Sequence, residues 1–503
     1  MLSSITTFTL DGVTPHRVDV EVDVRPGLPA FTIVGLGDRA VREARERVKA
    51  AIQNAGWAFP QQRVTVNLAP ADLRKEGPGF DLAIACGVLL SVGEIAAEAI
   101  DGKAVFGELG LSGELRPCRG ALAVAEGASA AGLDAIVVPA EQIEEAGAAT
   151  AIGVFGAGDL AEVAAILAGD SAGRAAPSRR GYREPELPGL EDVRGHAGPV
   201  RALEIAAAGA HHLLLTGPPG TGKSMLARRL PRILPPLAPA EELEVLRIRS
   251  ITGLGYGAPR GHRPFRAPHH SISSAGLVGG GAVPTPGEIT LAHRGVLFLD
   301  ELPEFSRQAL EALRQPLEDG HLTVVRGQRA TTYPAEVQLV AARNPCPCGQ
   351  LGTPRCRCGE AELEQYARRV SGPLIDRIDL VVDVERPSEE DLHGEPVACS
   401  TSVREAVIAA RVLQRERSPE GGAPVWNSRL PTSVLHALPA DPAADHVLRR
   451  AYRHGLLSPR GRDRVLRVAR TIADLDGRER IGSDDVLEAL ALRSAGLHPA
   501  VPA

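Results

Sequence analysis

The sequence predicts an α/β fold in three parts: an α+β N-terminal domain, a central core of parallel strands and helices, and a helical C-terminal lid. Apolar strand-like runs alternate with amphipathic helical stretches from about Leu187 to Arg386, as in α/β cores. Within that block a glycine-rich octapeptide, Gly217–Ser224, lies between the apolar run Leu213–Leu215 and the helical pattern Met225–Leu230. From Ser388 onward Ala, Leu and Arg recur at helical spacing, with few strand candidates. With 503 residues, about three domains are expected. The boundaries read from composition are 1–170, a linker over 171–187, 188–387, and 388–503.

Hydrophobic residues at 44% and charged residues at 23% describe a chain that folds. Aromatics are only 3%, so the cores must be built from Ala, Val, Leu and Ile. A net charge of -6 excludes a globally basic nucleic-acid coat protein but leaves room for a locally basic channel.

In the first part, Arg17–Val24 alternates apolar and polar residues, the pattern of a half-buried strand. Ala40–Ala55 puts Val41, Ala44, Val48 and Ile52 on one helical face. Arg63–Leu68 and Ala104–Leu109 read as further strands. Ser171–Glu184 has no periodicity and is rich in Pro, Ser, Gly and Arg, the composition of a linker. Met1–His16 lacks a basic stretch followed by an apolar run, and no run approaches the roughly 18 apolar residues of a membrane helix. A cytoplasmic protein with no membrane partner is expected. Seven cysteines, four of them between 346 and 358, suit reduced thiols with a metal loop better than a disulfide framework.

The central block carries the chemistry. Gly217, Pro218, Pro219, Gly220, Thr221, Gly222, Lys223 and Ser224 spell the Walker A spacing in its strand–loop–helix context. The glycines let backbone N–H groups curl round phosphates at a helix N-terminus. Lys223 would neutralise β/γ-phosphate charge, and Ser224 would offer its hydroxyl to Mg²⁺. Lys223 is one of only four lysines, with Lys49, Lys75 and Lys103, in a chain whose other basic residues are arginine. Gly295–Glu301 (GVLFLDE) reads as a buried parallel strand delivering Asp300 and Glu301 at its carboxyl end, where such sheets bind ligands. Asp300 would hold Mg²⁺ through water and Glu301 would orient the attacking water. Binding and hydrolysis of ATP, with Mg²⁺ as cofactor, are expected.

Cys346-Pro-Cys348 and Cys356-Arg-Cys358 flank a turn-rich stretch. In extended chain, residues i and i+2 face one side, so each pair can present both thiols to one ion. A structural Zn²⁺ held by the four thiolates is expected, with Arg355 and Arg357 offsetting their charge; four unliganded thiols are the alternative. His269 and His270 have no carboxylate or third ligand at a suitable spacing and read as structural.

The motifs together resemble the ComM/YifB family of magnesium-chelatase-like AAA+ ATPases, essentially end to end. The resemblance is carried by LEIAAAGAHHLLLTGPPGTGKS at 203–224, RPFRAPHHSIS at 263–273 and PGEITLAHRGVLFLDELPEF at 286–305. It continues through NPCPCG at 344–349, SGPLIDRIDL at 371–380 and LSPRGRDRVLRVARTIADL at 457–475. It implies that Asn344 senses the γ-phosphate or attacking water, that Arg377 is an arginine finger acting across a subunit interface, and that Arg460 is the lid arginine. A shared site implies a ring, a homo-hexamer.

Two insertions suggest a pore: the Gly- and Pro-rich stretch 249–288 and the hairpin-like stretch 321–337. In related helicase-like rings such hairpins touch DNA, so Arg326 and Arg329 would meet phosphates of single-stranded or branched DNA. An ordinary solvated hairpin is the alternative.

DLRKEGPGFD at 72–81 and FGELGLSGELRPCRG at 106–120 resemble the protease domain of Lon. Gly79 stands where that family has its serine, and Leu122, Ala123 and Val124 stand where its lysine would fall, so no proteolysis is expected. The resemblance to the ComM/YifB family implies a helicase performing branch migration, aiding DNA integration in natural transformation or recombination. The competing reading is a chelatase-like ATPase that remodels a protein client.

Overall fold

In the computed structural model, residues 2–148, 151–175, 187–254, 261–281, 285–326, 329–419 and 424–494 are described. They form two compact units, the first from residues 1–183 and 239–260, the second from 184–238 and 261–503.

The first unit is a mixed sheet covered by helices. Its strand order is Arg174–Ala175, Gly153–Ala157, Ala135–Pro139, Lys103–Val105, Leu2–Asp11, Thr14–Arg25, Arg63–Ala69 and Ala30–Val34. The alternation expected at 17–24 puts Val18, Val20, Val22 and Val24 inside, on strand Thr14–Arg25. The expected helix forms over Arg39–Asn54, opened by Asp38, whose carboxylate accepts the Val41 N–H at 2.9 Å. Val41, Ala44, Val48 and Ile52 are all buried along it.

The single strand expected over 104–109 is instead two. Lys103–Val105 belongs to the large sheet, whereas Glu108–Leu109 pairs only with Leu115–Arg116. The chain leaves the sheet between them because the Gly107 N–H donates to the Gly79 carbonyl at 3.3 Å. This turn lays the Phe106 ring over Gly79, where an added Cβ would sit 2.4 Å from Phe106 Cε2. The space a nucleophilic serine would need is filled by an aromatic ring, and Leu122, Ala123 and Val124 are fully buried. Gly79→Ser should therefore destabilise this unit by about 1–3 kcal/mol through overpacking and confer no peptidase activity. Chemical unfolding of the variant checks this, and an unchanged midpoint would mean the Phe106 ring swings aside at no cost.

Helix Pro239–Thr252 lies in sequence within the central block yet packs in the first unit. Arg247 pairs with Glu126 at 2.5 and 2.8 Å, and Leu246 buries against Leu122. Of the insertion expected over 249–288, the described parts are the end of this helix, strand Phe265–Arg266, helix Ser274–Val278 and a short ladder of Gly279–Gly280 with Thr285–Pro286. Residues 255–260 and 282–284 lie outside the described residues, as do 176–186 of the expected linker.

The second unit is built on a parallel sheet in the order Phe265–Arg266, Val296–Leu299, Gln338–Arg343, Leu213–Thr216 and Leu380–Asp383. Its central strands are apolar without alternation because both faces are covered. The C-terminal part is helical, with Ser400–Glu416, Pro442–Arg453, Pro459–Leu475 and Ser483–Ser494 as its longer members. Strands His321–Arg326 and Arg329–Pro334 form the expected antiparallel hairpin, with Arg326 opposite Arg329 at its tip. Residues 327–328 and the side chains of Arg326 and Arg329 lie outside the described residues. Among the described residues no helix is long and apolar enough to cross a membrane.

Candidate active site

Three neighbouring parallel strands end at one edge of the second unit's sheet and deliver the candidate residues together. Leu213–Thr216 runs into the loop Gly217–Gly222, Val296–Leu299 into Asp300 and Glu301, and Gln338–Arg343 into Asn344. Glycine is required in the loop: Gly220 and Gly222 adopt φ of 78° and 94°, and a Cβ on Gly217 would lie 2.2 Å from the Val384 carbonyl. Thr221, buried, closes the turn by donating to the Pro218 carbonyl at 3.0 Å.

Lys223 opens the following helix, Lys223–Ala227, and its ammonium folds back into the loop. It donates to the carbonyls of Gly217 and Pro218, each at 2.7 Å, and to Asn344 Oδ1 at 3.2 Å. Burial lowers its pKa, and the negative charges of Asp300 and Glu301 oppose that shift. Among the described residues no carboxylate pairs with it directly, so a buried cation is met only by neutral oxygens. An ammonium so placed suits an anionic phosphate group. The Ser224 hydroxyl donates to Asp300 Oδ2 at 2.5 Å, a hydroxyl and a carboxylate converging as hard oxygen ligands do. The residues present thus fit a nucleoside triphosphate with Mg²⁺, held by Lys223, Ser224 and Asp300.

Glu301 adopts φ 52°, ψ 47°, a left-handed conformation that costs a non-glycine residue about 1 kcal/mol or more. Its N–H donates to its neighbour's Asp300 Oδ1 at 3.0 Å, and its side chain is turned outward, 55% exposed. The outward carboxylate meets His270, whose Nδ1 lies 3.2 Å from Glu301 Oε2. The histidine pair read as lacking a carboxylate therefore has one, supplied from the neighbouring strand. His269 lies against the His270 ring, with centroids 4.0 Å apart. Tyr366 is a further participant that the sequence did not reveal: its hydroxyl donates to the Asn344 carbonyl at 3.3 Å.

Arg377 and Arg460 do not join this cluster within the chain. Arg377 pairs with Glu318 and donates to the Pro373 carbonyl at 2.7 Å. Arg460 is exposed at the start of helix Pro459–Leu475 and lines a surface cleft with Arg449, Tyr452, Arg453 and Arg462.

The loop after Asn344 gathers four thiols. Cys346 Sγ lies 3.4 Å from Cys348 Sγ and 3.9 Å from Cys356 Sγ, and Cys348 and Cys356 are 3.7 Å apart. With Cys358, all four sulfurs lie within 4.8 Å of one another, a group able to hold a metal ion. Backbone N–H groups of Arg357 and Gln350 hold the Cys348 thiol down at about 6.

Comparison with known proteins agrees with this architecture. The family described as "Magnesium chelatase, subunit ChlI" matches residues 189–392, "Subunit ChlI of Mg-chelatase" matches 20–142, and "Magnesium chelatase, subunit ChlI C-terminal" matches 398–493. The chain is 42% identical to the protein YifB of Salmonella typhimurium over 488 residues, 96% of this chain and 95% of that one. It is 39% identical to the competence protein ComM of Haemophilus influenzae over 494 residues, 96% of each. It is also 29% identical to Lon protease 2 of Bacillus subtilis over 252 residues, 43% of this chain and 46% of that one. The three family models thus follow one another over the first part, the parallel-sheet core with its phosphate loop and the helical C-terminal part, and the chain belongs to the ComM/YifB family of magnesium-chelatase-like AAA+ proteins.

Proposed function

We propose that this protein is a ring-forming, cytoplasmic AAA+ ATPase that works on DNA as a helicase, driving branch migration during recombination or transformation. The observation that carries the ATPase is the convergence of Lys223, Ser224, Asp300 and Asn344 at one sheet edge. Bound Mg²⁺ would neutralise charge on the phosphate oxygens. Lys223 balances the β/γ-phosphate charge, Glu301 orients the attacking water and takes its proton, and Asn344 fixes the position of that water. The arginine-finger role of Arg377 needs a neighbouring subunit in a homo-hexamer, consistent with its lying apart from the cluster in one chain, whereas Arg460 would act from the helical lid.

Support for DNA as the partner comes from the hairpin with Arg326 and Arg329 at its tip, and from the name of the Haemophilus relative, a competence protein. The test is ATP turnover with and without forked and four-way-junction DNA, across a salt titration. Stimulation of several-fold should appear at low salt, fade as salt rises, and vanish in the Arg326→Ala, Arg329→Ala double variant. Turnover indifferent to DNA and to those substitutions would end the DNA reading. It would favour the second reading, a chelatase-like motor acting on a protein client, in keeping with the match to the magnesium chelatase family.

A further inference from the structure

We propose that Cys346, Cys348, Cys356 and Cys358 bind one Zn²⁺, and that this ion fixes a wall of the nucleotide pocket, so that metal occupancy sets the affinity for nucleotide. The coupling rests on the nucleotide-site reading above; the metal site stands independently of it.

The sulfur geometry points to a single tetrahedral ion. Four thiolates about 2.3 Å from a central Zn²⁺ lie roughly 3.8 Å apart along the edges of the tetrahedron. The observed separations of 3.4, 3.7 and 3.9 Å bracket that edge. A disulfide needs about 2.05 Å, much shorter than any of these. An iron–sulfur cluster sits as a bulky body among its cysteines and would hold them further apart.

Burial makes the same point. Between Pro347 and Glu360 only Gly349 is buried, so no apolar core holds this segment in place. Its internal order comes from short turns, such as Gly349 N–H to the Cys346 carbonyl at 3.0 Å and Cys356 N–H to the Thr353 carbonyl at 3.1 Å. A stretch with so little to bury needs a covalent or metal staple to stay folded.

The connection to the pocket is direct. Cys346 lies two residues after Asn344, whose side chain accepts from Lys223. Gly349, at φ 75°, runs so close to the phosphate loop that a Cβ would lie 2.5 Å from Pro219 Cδ. The stapled turn therefore touches the loop at Pro219 and holds Asn344 from the other side. Releasing the staple frees both contacts at once.

Full-length protein purified without chelator should contain close to one zinc per chain by elemental analysis. Replacement by Co²⁺ should give the strong visible and near-ultraviolet absorption of a tetrahedral thiolate site. Removing the ion with a mercurial and chelator should weaken binding of a fluorescent ADP analogue at least ~10-fold, and adding Zn²⁺ back should restore it. This uses the folded wild-type chain, so a misfolded variant is not an obstacle; Cys348→Ser with Cys358→Ser should reproduce the stripped protein, checked for secondary structure by circular dichroism. Less than a tenth of an ion per chain overturns the metal site. Full metal with unchanged nucleotide affinity after stripping overturns the coupling. Lys223→Ala should keep its zinc while losing nucleotide, which separates failure of this proposal from failure of the ATP-site reading.

Discussion

Lys223→Ala is expected to lower ATP turnover at least ~100-fold, with nucleotide binding weakened as well. The side chain is the one cation inside the loop, held by the carbonyls of Gly217 and Pro218 and by Asn344 Oδ1. Alanine leaves three inward-facing oxygens and no positive charge to meet the phosphates. Arginine is no substitute, since a planar guanidinium does not fit a cradle built around a compact ammonium. Glu301→Gln separates binding from chemistry: it keeps the size of the side chain and should leave nucleotide affinity near normal while turnover falls by a similar factor. Steady-state hydrolysis alongside equilibrium binding reads both. Turnover within a few-fold of wild type in Lys223→Ala would place hydrolysis elsewhere in the chain.

Asp474→Ala should destabilise the C-terminal helical region by about 3–5 kcal/mol, the loss expected when a buried ion pair keeps one charge. Asp474 and Arg470 are 2% and 1% exposed on helix Pro459–Leu475. The carboxylate accepts from Arg417 at 2.7 Å, from Arg470 Nε at 3.1 Å and from Asn427 Nδ2 at 2.8 Å. It therefore ties the end of helix Ser400–Glu416 and the turn at Asn427 to the long helix. Burial pulls the Arg470 guanidinium below its ordinary pKa, and the Asp474 charge opposes this. With Asp474 gone, Arg470 retains, among the described residues, the carbonyls of Arg478 and Glu479. Asp474→Asn keeps part of the hydrogen bonding and should cost less. Urea unfolding followed by a probe in this region measures the difference, and a loss under about 1 kcal/mol from Asp474→Ala would mean that water reaches the pair.

The legible part of this protein was local. Walker A spacing is a backbone device: the glycines, the lysine and the serine act within eight residues, so their order in sequence is nearly their order in space. Gly295–Glu301 was legible for the same reason, since a buried parallel strand shows as an unbroken apolar run ending in its carboxylates. Helix Arg39–Asn54 was readable from one face of period 3.6. The split of 104–109 into two strands was not, because Phe106 and Gly107 carry strand-like neighbours, and it is the hydrogen bonds of Gly107 to Gly79 and Leu82 that pull the chain out of the sheet. The His270 contact with Glu301 escaped for a similar reason, its partner being brought in by an adjacent strand.

The sequence alone determined the phosphate loop, the acidic strand end, the paired cysteines and the order of the three parts, because each is written in spacing over a few residues. Tertiary structure decided which unit helix Pro239–Thr252 joins, what fills the space over Gly79, which carboxylate His270 meets and that the thiol loop rests on Pro219. Those contacts join segments far apart in the chain, where the path of the folded backbone, and no local period, sets which side chains meet.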